Sequence, residues 1–227
     1  MCSPGSAYSL AREAYHIVRA GGFEQFWVLL RAFIKRNTDA RRGYQSWLDA
    51  HTPDRGDLER MKEAALGLAR SPLFSILMPV YNVEDVWLRK AIDSVLAQVY
   101  PHWELCIADD ASTKPHVKPT LQEYQERDKR IKVLYREENG HISAATNSAF
   151  SLATGDFVCL MDHDDEISPD ALFEFARLLN ERPDTDMVYS DEDKIDPKGN
   201  RFEPFFKPDW SPGPAVSAWP DTIISST

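Results

Sequence analysis

The chain has 227 residues and a formal net charge of −10. That length suits one large domain or one domain with an extension, and the acidic balance argues against non-specific nucleic-acid binding. Hydrophobic residues make up 43% of the chain, an ordinary share for a globular protein with a sizeable core.

The cysteines are Cys2, Cys106 and Cys159, which are too widely spaced for a disulfide framework or a CxxC metal site. Two of them lie in apolar runs, so we expect buried, reduced thiols. No run approaches the ~20 apolar residues of a membrane span, and the N-terminus lacks a signal-peptide pattern. These features predict a cytoplasmic protein.

The first 70 residues are predicted to form a helical N-terminal extension. Residues 7–36 have a helical period that breaks at Gly21-Gly22, and the segment "FEQFWVLLRAFIKR" after the break is amphipathic. This helix either packs on the domain behind it or lies on the anionic inner face of the plasma membrane as a peripheral anchor. A second helix is predicted after Thr52-Pro53.

Strands and helices alternate from Ser71 onward. Strands are predicted at 74–80, 104–110, 131–136, 156–162 and 186–191, and helices at 85–98, 117–128, 142–153 and after Ser168-Pro169-Asp170. Ser168 is the predicted N-cap of the last helix. The alternation predicts an α/β fold with a mostly parallel sheet and flanking helices. The strands are apolar on both faces, which is typical of strands covered on both sides.

Polar residues follow several of these strands, and ligands of open α/β sheets bind at the carboxyl ends of strands. The predicted ends are Pro79-Val80-Tyr81-Asn82, Asp109-Asp110, Asp162-His163-Asp164-Asp165 and Asp191-Glu192-Asp193. Acidic side chains crowded on one edge repel one another without cations. Three acidic strand ends on one sheet therefore favour a ligand-binding edge.

Asp162 and Asp164 have the spacing of a DxD motif. Residues two apart in an extended backbone point the same way, so both carboxylates can converge on one point. Mg²⁺ and Mn²⁺ take oxygen ligands and share them between carboxylates and phosphates. His163 points away and is not counted as a ligand. The alternative is that these acids are turn residues and helix caps.

Two other positions have an ordinary alternative to ligand binding. Asp109 and Asp110 can accept hydrogen bonds from a base or a ribose, or they can form an Asx-type turn. Tyr81 can stack on a base or simply pack against the protein.

Three segments resemble family 2 glycosyltransferases. They are "SILMPVYNVEDVWLRKAIDSVLAQVYPHWELCIADDAST", "ENGHISAATNSAFSLATGDFVCLMDHDDEISPDAL" and "VYSDEDKIDPKGNRFEPFFKPDWSP". The third looks like the branch that assembles bacterial O-antigen and other surface polysaccharides, including rhamnosyltransferase-like proteins. The resemblance implies the GT-A fold, a nucleotide-diphosphate sugar donor and inversion at the anomeric carbon. It divides the chain into the extension at 1–70, a nucleotide-sugar-binding domain at 71–212 and a tail at 213–227.

The resemblance also implies roles for individual residues. Asp164 and Asp165 would hold Mn²⁺ or Mg²⁺ across the diphosphate, and Asp162 would approach the ribose or the metal. The other residues expected at the nucleotide sugar are Pro79, Val80, Tyr81, Asn82, Asp109, Asp110, as the base reader, and His141, near the diphosphate.

The transfer reaction needs a general base for the acceptor hydroxyl. The resemblance places that base in an "ED"-like motif beyond FKPDWSP, where this chain reads "GPAVSAWPDTIISST". We therefore expect a C-terminally truncated protein without its acceptor half. Asp191 is the candidate base that remains, although Asp191 and Asp193 can instead shape the sugar side of the cleft.

Two functions stay open from the sequence. The first is a metal-dependent glycosyltransferase that moves sugar from a UDP- or dTDP-sugar to a glycan or lipid-linked acceptor. The second is a remnant that binds the donor and metal without transfer. A HAD-type phosphatase also has DxD after a strand, but Glu166 stands where that class has Thr or Val.

Overall fold

The computed structural model describes residue 31 and residues 42–208 and 224–226. The predicted amphipathic helix at 7–36 lies outside this range apart from Arg31, as does Cys2. Within the described ranges, no helix is both long enough and apolar enough to cross a membrane.

The described elements follow one another in chain order. The helices are α1 (residues 42–51), α2 (Arg55–Ala65), α3 (Asp85–Leu96), α4 (Val117–Arg127), α5 (His141–Phe150) and α6 (Ala171–Glu181). The strands are β1 (Phe74–Val80), β2 (Trp103–Asp109), β3 (Ile131–Tyr135), β4 (Phe157–Leu160), β5 (Met187–Val188), β6 (Glu192–Ile195), β7 (Arg201–Phe205) and β8 (Ile224–Ser226). The elements predicted between residues 74 and 162 are all confirmed, with ends that shift by a few residues.

A six-stranded sheet forms the centre of one of the two compact units, which comprises residues 53–190 and 208–227. Its strand order is β3-β2-β1-β4-β8-β5, with β1 to β4 parallel and β8 antiparallel to both neighbours. This arrangement confirms the predicted α/β fold with a mostly parallel sheet. Strand β8 was not expected, because the sequence of the tail shows no strand pattern.

Strands β1 and β2 are the most buried part of the sheet, because helices cover both of its faces there. Every residue of β2 is buried, and in β1 only Pro79 is partly exposed. The two strands pair from Phe74 opposite Trp103 to Val80 opposite Asp109, so they end together. Cys106 and Cys159 are buried free thiols, as predicted for these two cysteines.

A buried carboxylate ties four segments of the sheet unit together. Glu104 in β2 accepts hydrogen bonds from Ser75 Oγ at 2.7 Å, Lys132 Nζ at 2.6 Å and the Thr154 N–H at 2.6 Å. Burial alone would raise the pKa of Glu104, but the hydrogen bonds from Lys132, Ser75 and Thr154 lower it to about 2. Glu104 is therefore a structural anion that fixes β1, β3 and the turn before β4.

The other unit comprises residues 1–52 and 191–207, and its described part contains α1 and the β6–β7 hairpin. Asp193 accepts hydrogen bonds from Tyr44 of α1 and, at 2.6 Å, from Arg201 of β7. Trp47 stacks on His51 with ring centroids 4.4 Å apart and meets the edge of Phe206 at 5.6 Å. These contacts attach the hairpin to α1. The predicted domain boundaries at 70/71 and 212/213 stay predictions.

The structure corrects the prediction for the fifth strand. Strand β5 covers only Met187–Val188 rather than 186–191, and Asp191-Glu192-Asp193 lead into β6 of the separate two-stranded sheet. The reason is a hairpin turn that the sequence analysis missed, in which Asp196 Oδ1 accepts the N–H groups of Lys198 and Asn200. Two acidic strand ends, not three, lie on the carboxyl edge of the main sheet.

The predicted cap of α6 is also wrong. Asp170 occupies the N-cap position, and Ser168 contributes its carbonyl oxygen, which accepts the Ala171 N–H at 3.0 Å. The first turn of α6 is instead capped by Gln98, whose Oε1 accepts the Leu172 N–H at 3.1 Å. A partner 74 residues away supplies what the local sequence was expected to supply.

Candidate functional site

The ends of β2, β1 and β4 lie side by side, because β1 pairs with both of the other strands. The Met161 N–H donates to Leu77 O at 3.1 Å, which continues the β1–β4 ladder past the end of β4. Beyond β4, the Nδ1 atom of His163 lies 3.0 Å from Pro79 O. The topology thus brings the residues predicted after the first, second and fourth strands to one edge.

Asn82 bridges the loops that follow β1 and β2. Its N–H donates to Ser112 Oγ at 2.9 Å, and its Oδ1 accepts the N–H groups of Thr113 at 2.8 Å and Lys114 at 3.0 Å. The residue has a positive φ of 49°, a left-handed conformation that Asn tolerates better than most residues. The observed role of Asn82 is to fix these loops, and its contact with a nucleotide sugar stays a prediction.

The two residues before Asn82 differ sharply in exposure. Val80 is buried, and its carbonyl oxygen accepts the Asp110 N–H at 2.8 Å. Tyr81 is 46% exposed. An exposed ring directly after a buried strand is compatible with stacking on a base. Val80 can reach a ligand only through its backbone.

Asp109 forms the local turn that was the alternative to ligand binding. Its Oδ1 accepts the N–H of Ser112 at 3.2 Å, three residues further along the chain. The side chain is buried. Ala111, between the two, has a positive φ of 60°. Asp109 therefore shapes the loop after β2, and its contact with a nucleotide sugar stays a prediction.

Asp110 is almost completely buried and has partners on both carboxylate oxygens. Arg136 Nε donates to Oδ1 at 2.7 Å, and the Gly140 N–H lies 3.0 and 3.1 Å from the two oxygens. A Cβ atom on Gly140 would lie 2.5 Å from Arg136 Nη2, so only glycine leaves room for this arrangement. Asp110 thus holds the loop after β3, and its predicted role as a base reader stays a prediction.

Arg136 was missed by the sequence analysis. It follows β3 immediately, its N–H donates to Asp109 O at 2.9 Å, and its Nη1 donates to Ser148 Oγ at 2.5 Å and to Ala144 O at 3.2 Å on α5. The sequence signal that could have found it is its position, because it is a basic residue directly after a strand on an edge with two acidic strand ends. Arg136 compensates part of the negative charge on this edge.

His141 is the first residue of α5 and is exposed. Its φ is +62°, and its N–H donates to Asn139 Oδ1 at 3.3 Å. Left-handed, non-glycine residues therefore occur in the loops after β1, β2 and β3, namely Asn82, Ala111 and His141. Such strained residues cluster at functional sites.

Asp162 to Asp165 form a turn rather than an extension of β4. The strand ends at Leu160, and the Asp165 N–H donates to Asp162 O at 3.3 Å. The prediction that Asp162 and Asp164 converge through strand alternation is therefore wrong, because alternation requires an extended backbone. Asp162 is partly exposed, and Asp164 and Asp165 are exposed.

The described residues contain no group of three or more His, Cys, Asp or Glu side chains arranged to hold a metal ion. The three acids of the turn offer carboxylate oxygens, which are suitable donors for Mg²⁺ or Mn²⁺. Both cations are commonly bound by one or two carboxylates together with substrate phosphates. The donor chemistry fits a cation that arrives with a diphosphate better than a metal held by the protein alone.

Glu166 has a partner of its own. Its Oε1 lies 3.3 Å from Lys90 Nζ of α3. This ion pair compensates the charge of one acid in the crowded run 162–166.

Asp191, the candidate base, lies at the start of the β6–β7 hairpin. Its Oδ1 accepts the Lys207 N–H at 2.7 Å, and the residue is exposed. Asp193 keeps only 8% side-chain exposure and is paired with Arg201. The assignment of Asp191 as a base stays a prediction.

The family model described as "Glycosyl transferase family 2" matches residues 75–215. The chain therefore belongs to glycosyl transferase family 2. The match covers the sheet edge and continues through the hairpin.

Two relatives are several times longer than the segment that they share with this chain. It is 45% identical to the Sinorhizobium fredii protein y4gI over 67% of this chain and 17% of that protein. It is 42% identical to the O-antigen biosynthesis protein RfbC of Myxococcus xanthus over 74% of this chain and 13% of that protein. The solved structure of S. aureus TarS 1-349 is 29% identical, with a TM-score of 0.47, over 51% of this chain and 34% of that chain. The chain thus spans less than a fifth of the length of the two relatives.

Proposed function

We propose that the carboxyl edge of the sheet binds a nucleotide-diphosphate sugar together with Mn²⁺ or Mg²⁺, for glycosyl transfer. Family 2 membership supports the reaction class. The observation that carries the proposal is the adjacency of the β1 and β4 ends. It places the exposed ring of Tyr81 and the acidic turn at Asp162–Asp165 on one edge.

The residues of the turn have a defined part in this proposal. Asp162, Asp164 and Asp165 would hold the cation, which neutralises the charge of the departing nucleoside diphosphate when it is bound. Tyr81 stacks on the base, and Pro79 and Val80 present backbone groups beside it. His141, at the start of α5, lies near the diphosphate.

The pairing of Asp110 with Arg136 supports a rigid base pocket. A carboxylate that is already hydrogen-bonded to Gly140 and Arg136 has a fixed orientation, and each oxygen retains acceptor capacity. Asp110 would then accept one hydrogen bond from the base without reorganising. The donor is a UDP- or dTDP-sugar.

The acceptor is a glycan or lipid-linked glycan of the cell surface. The 42% identity to a protein named for O-antigen biosynthesis supports this acceptor class. In the transfer reaction a base must take the proton of the acceptor hydroxyl, and Asp191 is the candidate on this chain.

A second candidate function is donor binding without transfer. It is favoured by the engagement of the acids in the hairpin, because Asp193 is paired with Arg201 and Asp191 accepts the Lys207 N–H. Both carboxylates therefore already hold the hairpin together, and Asp193, at 8% side-chain exposure, is the less accessible of the two.

Calorimetry of the chain with UDP and dTDP, with and without Mn²⁺, tests donor binding. We expect at least one nucleotide to bind. Its affinity should rise at least about tenfold with Mn²⁺, because the cation would be shared between the protein carboxylates and the nucleotide phosphates. Binding of neither nucleotide by a folded chain would refute the proposal. Sugar transfer, assayed in parallel with the UDP- and dTDP-sugar, separates the two candidate functions.

A further inference from the structure

The acidic turn is anchored at its start by β1 and at its end by side chains from α3 and its C-terminus. We propose that Gln98 is a positioning residue that fixes the end of the acidic loop, defined here as residues 162–170. Its importance for cation and nucleotide binding rests on the proposed function. Gln98 touches no proposed ligand and acts through the loop.

Gln98 is only 8% exposed and uses its whole amide. Nε2 donates to Ser168 O at 2.6 Å and to Ser94 O at 3.2 Å, while Oε1 accepts the Leu172 N–H at 3.1 Å. One side chain therefore joins the α3 C-terminus, the end of the acidic loop and the first turn of α6. Loss of this amide leaves the buried Leu172 N–H without its partner, which is costly, while Ser168 O keeps only the Ala171 N–H.

Two residues of α3, four positions apart, also hold this loop. Ser94 Oγ accepts the Ile167 N–H at 3.2 Å, and Lys90 Nζ pairs with Glu166 at 3.3 Å. The Val99 N–H adds a bond to Pro169 O at 2.9 Å. Residues four apart lie on one face of a helix, so Lys90 and Ser94 both face the loop. Gln98, two residues past the end of α3, continues this stripe along the loop.

The two ends of the loop are thus fixed independently. Met161 and His163 bind the carbonyl groups of Leu77 and Pro79 at one end. Gln98 holds the other end and is the most buried member of the stripe. Loss of the Gln98 bonds weakens that end, so Asp164 and Asp165 gain freedom to move while β4 stays paired with β1.

The chain contains a closely matched control for Gln98. The Asn180 amide likewise accepts one backbone N–H, from Arg70 at 2.8 Å, and donates to two carbonyls, Arg70 O at 2.9 Å and Ala176 O at 2.7 Å. It joins α6 to the segment before β1 and makes no bond to the acidic loop. Gln98→Leu and Asn180→Leu therefore remove the same number and kind of amide bonds at different places, with Gln98 the more buried of the two.

Hydrogen exchange followed by mass spectrometry tests the positioning itself, without any ligand. In Gln98→Leu, amide exchange across 162–172 should accelerate by at least about tenfold, since buried hydrogen bonds govern local opening. In Asn180→Leu the same segment should exchange as in the wild type. Unchanged exchange of 162–172 in Gln98→Leu would overturn the proposal. If Gln98→Leu does not fold, Gln98→Glu, which retains an acceptor for Leu172 but not the donor to Ser168, decides in its place.

Calorimetry with Mn²⁺ and UDP or dTDP then tests the consequence for binding. We expect Gln98→Leu to lose about 10–100-fold in the Mn²⁺-dependent part of the affinity, as supporting residues of metal sites do. The metal-free affinity should change little, and Asn180→Leu should match the wild type in both. An equal loss in the two variants would reduce Gln98 to a general stabiliser. If the wild type binds neither nucleotide, the proposed function fails, and the exchange measurement still decides the positioning role.

Discussion

At the scale of single residues, part of the negative charge on the proposed donor edge is compensated within the protein. Asp110 is paired with Arg136, and Glu166 is paired with Lys90. Asp164 and Asp165 of the acidic loop are exposed. The acidic loop is therefore the part of this edge where we propose an external cation.

Arg136→Met should destabilise the fold, because it leaves the buried Asp110 carboxylate without its cation. We expect a loss of about 3–5 kcal/mol in the free energy of unfolding, measured by urea denaturation. The double variant Asp110→Asn, Arg136→Met should recover part of that loss. Equal stability of the single and double variants would contradict the pairing.

The sequence could predict which residues reach the edge but not what they bind there. Asp109, Asp110 and Asp162 were placed correctly because they follow apolar strands. The bonds of Asp110 to Arg136 and Gly140 join residues 26 and 30 positions apart, which no local pattern encodes. The turn at Asp162–Asp165 was kept only as the alternative, because a strand pattern gives no sign of where the extended backbone stops.

At the scale of elements, the central strands were predictable and the edges were not. The runs of β1 and β2 are mostly apolar, with Ser75 and Glu104 as interior exceptions, which favours strands covered on both faces. Strands β6 and β7 are short, half-exposed and joined by a turn around Asp196, so their signal is weak. The start of α6 was misjudged because its cap, Gln98, comes from a different element.

The network around Glu104 gives the sheet a dependence on acid. The folded-state pKa of about 2 lies below the unfolded value of about 4.3, so the stabilisation is fully present above pH ~4.5. The stabilisation is lost as the pH falls from ~4.5 towards the folded-state pKa of about 2. Glu104→Gln should lower stability at pH 7 by about 3 kcal/mol and flatten the acid limb of the stability curve.

Thermal or urea unfolding between pH 2 and 7 provides the measurement. The control is Glu181→Gln, which removes an exposed acid paired with Arg177 on α6 and should leave the curve unchanged. Parallel curves for Glu104→Gln and the wild type would show that Glu104 carries no such linkage.

At the scale of the whole molecule, the chain belongs to glycosyl transferase family 2, and its described part forms two compact units. The sheet unit contains the proposed donor edge, and the other unit contains Asp191 on its hairpin. The chain spans 13% of the length of the Myxococcus xanthus relative. Donor binding is therefore the part of the function that the described fold supports most directly.

The central claim is tested by comparing two pairs of exposed acids. Asp164→Asn combined with Asp165→Asn alters the acidic loop, and Asp184→Asn combined with Asp186→Asn removes the same charge beyond α6. Calorimetric titration with UDP or dTDP and Mn²⁺ should show the Mn²⁺-dependent affinity abolished in the first variant and retained in the second. Equal Mn²⁺-dependent binding by both variants would contradict the account.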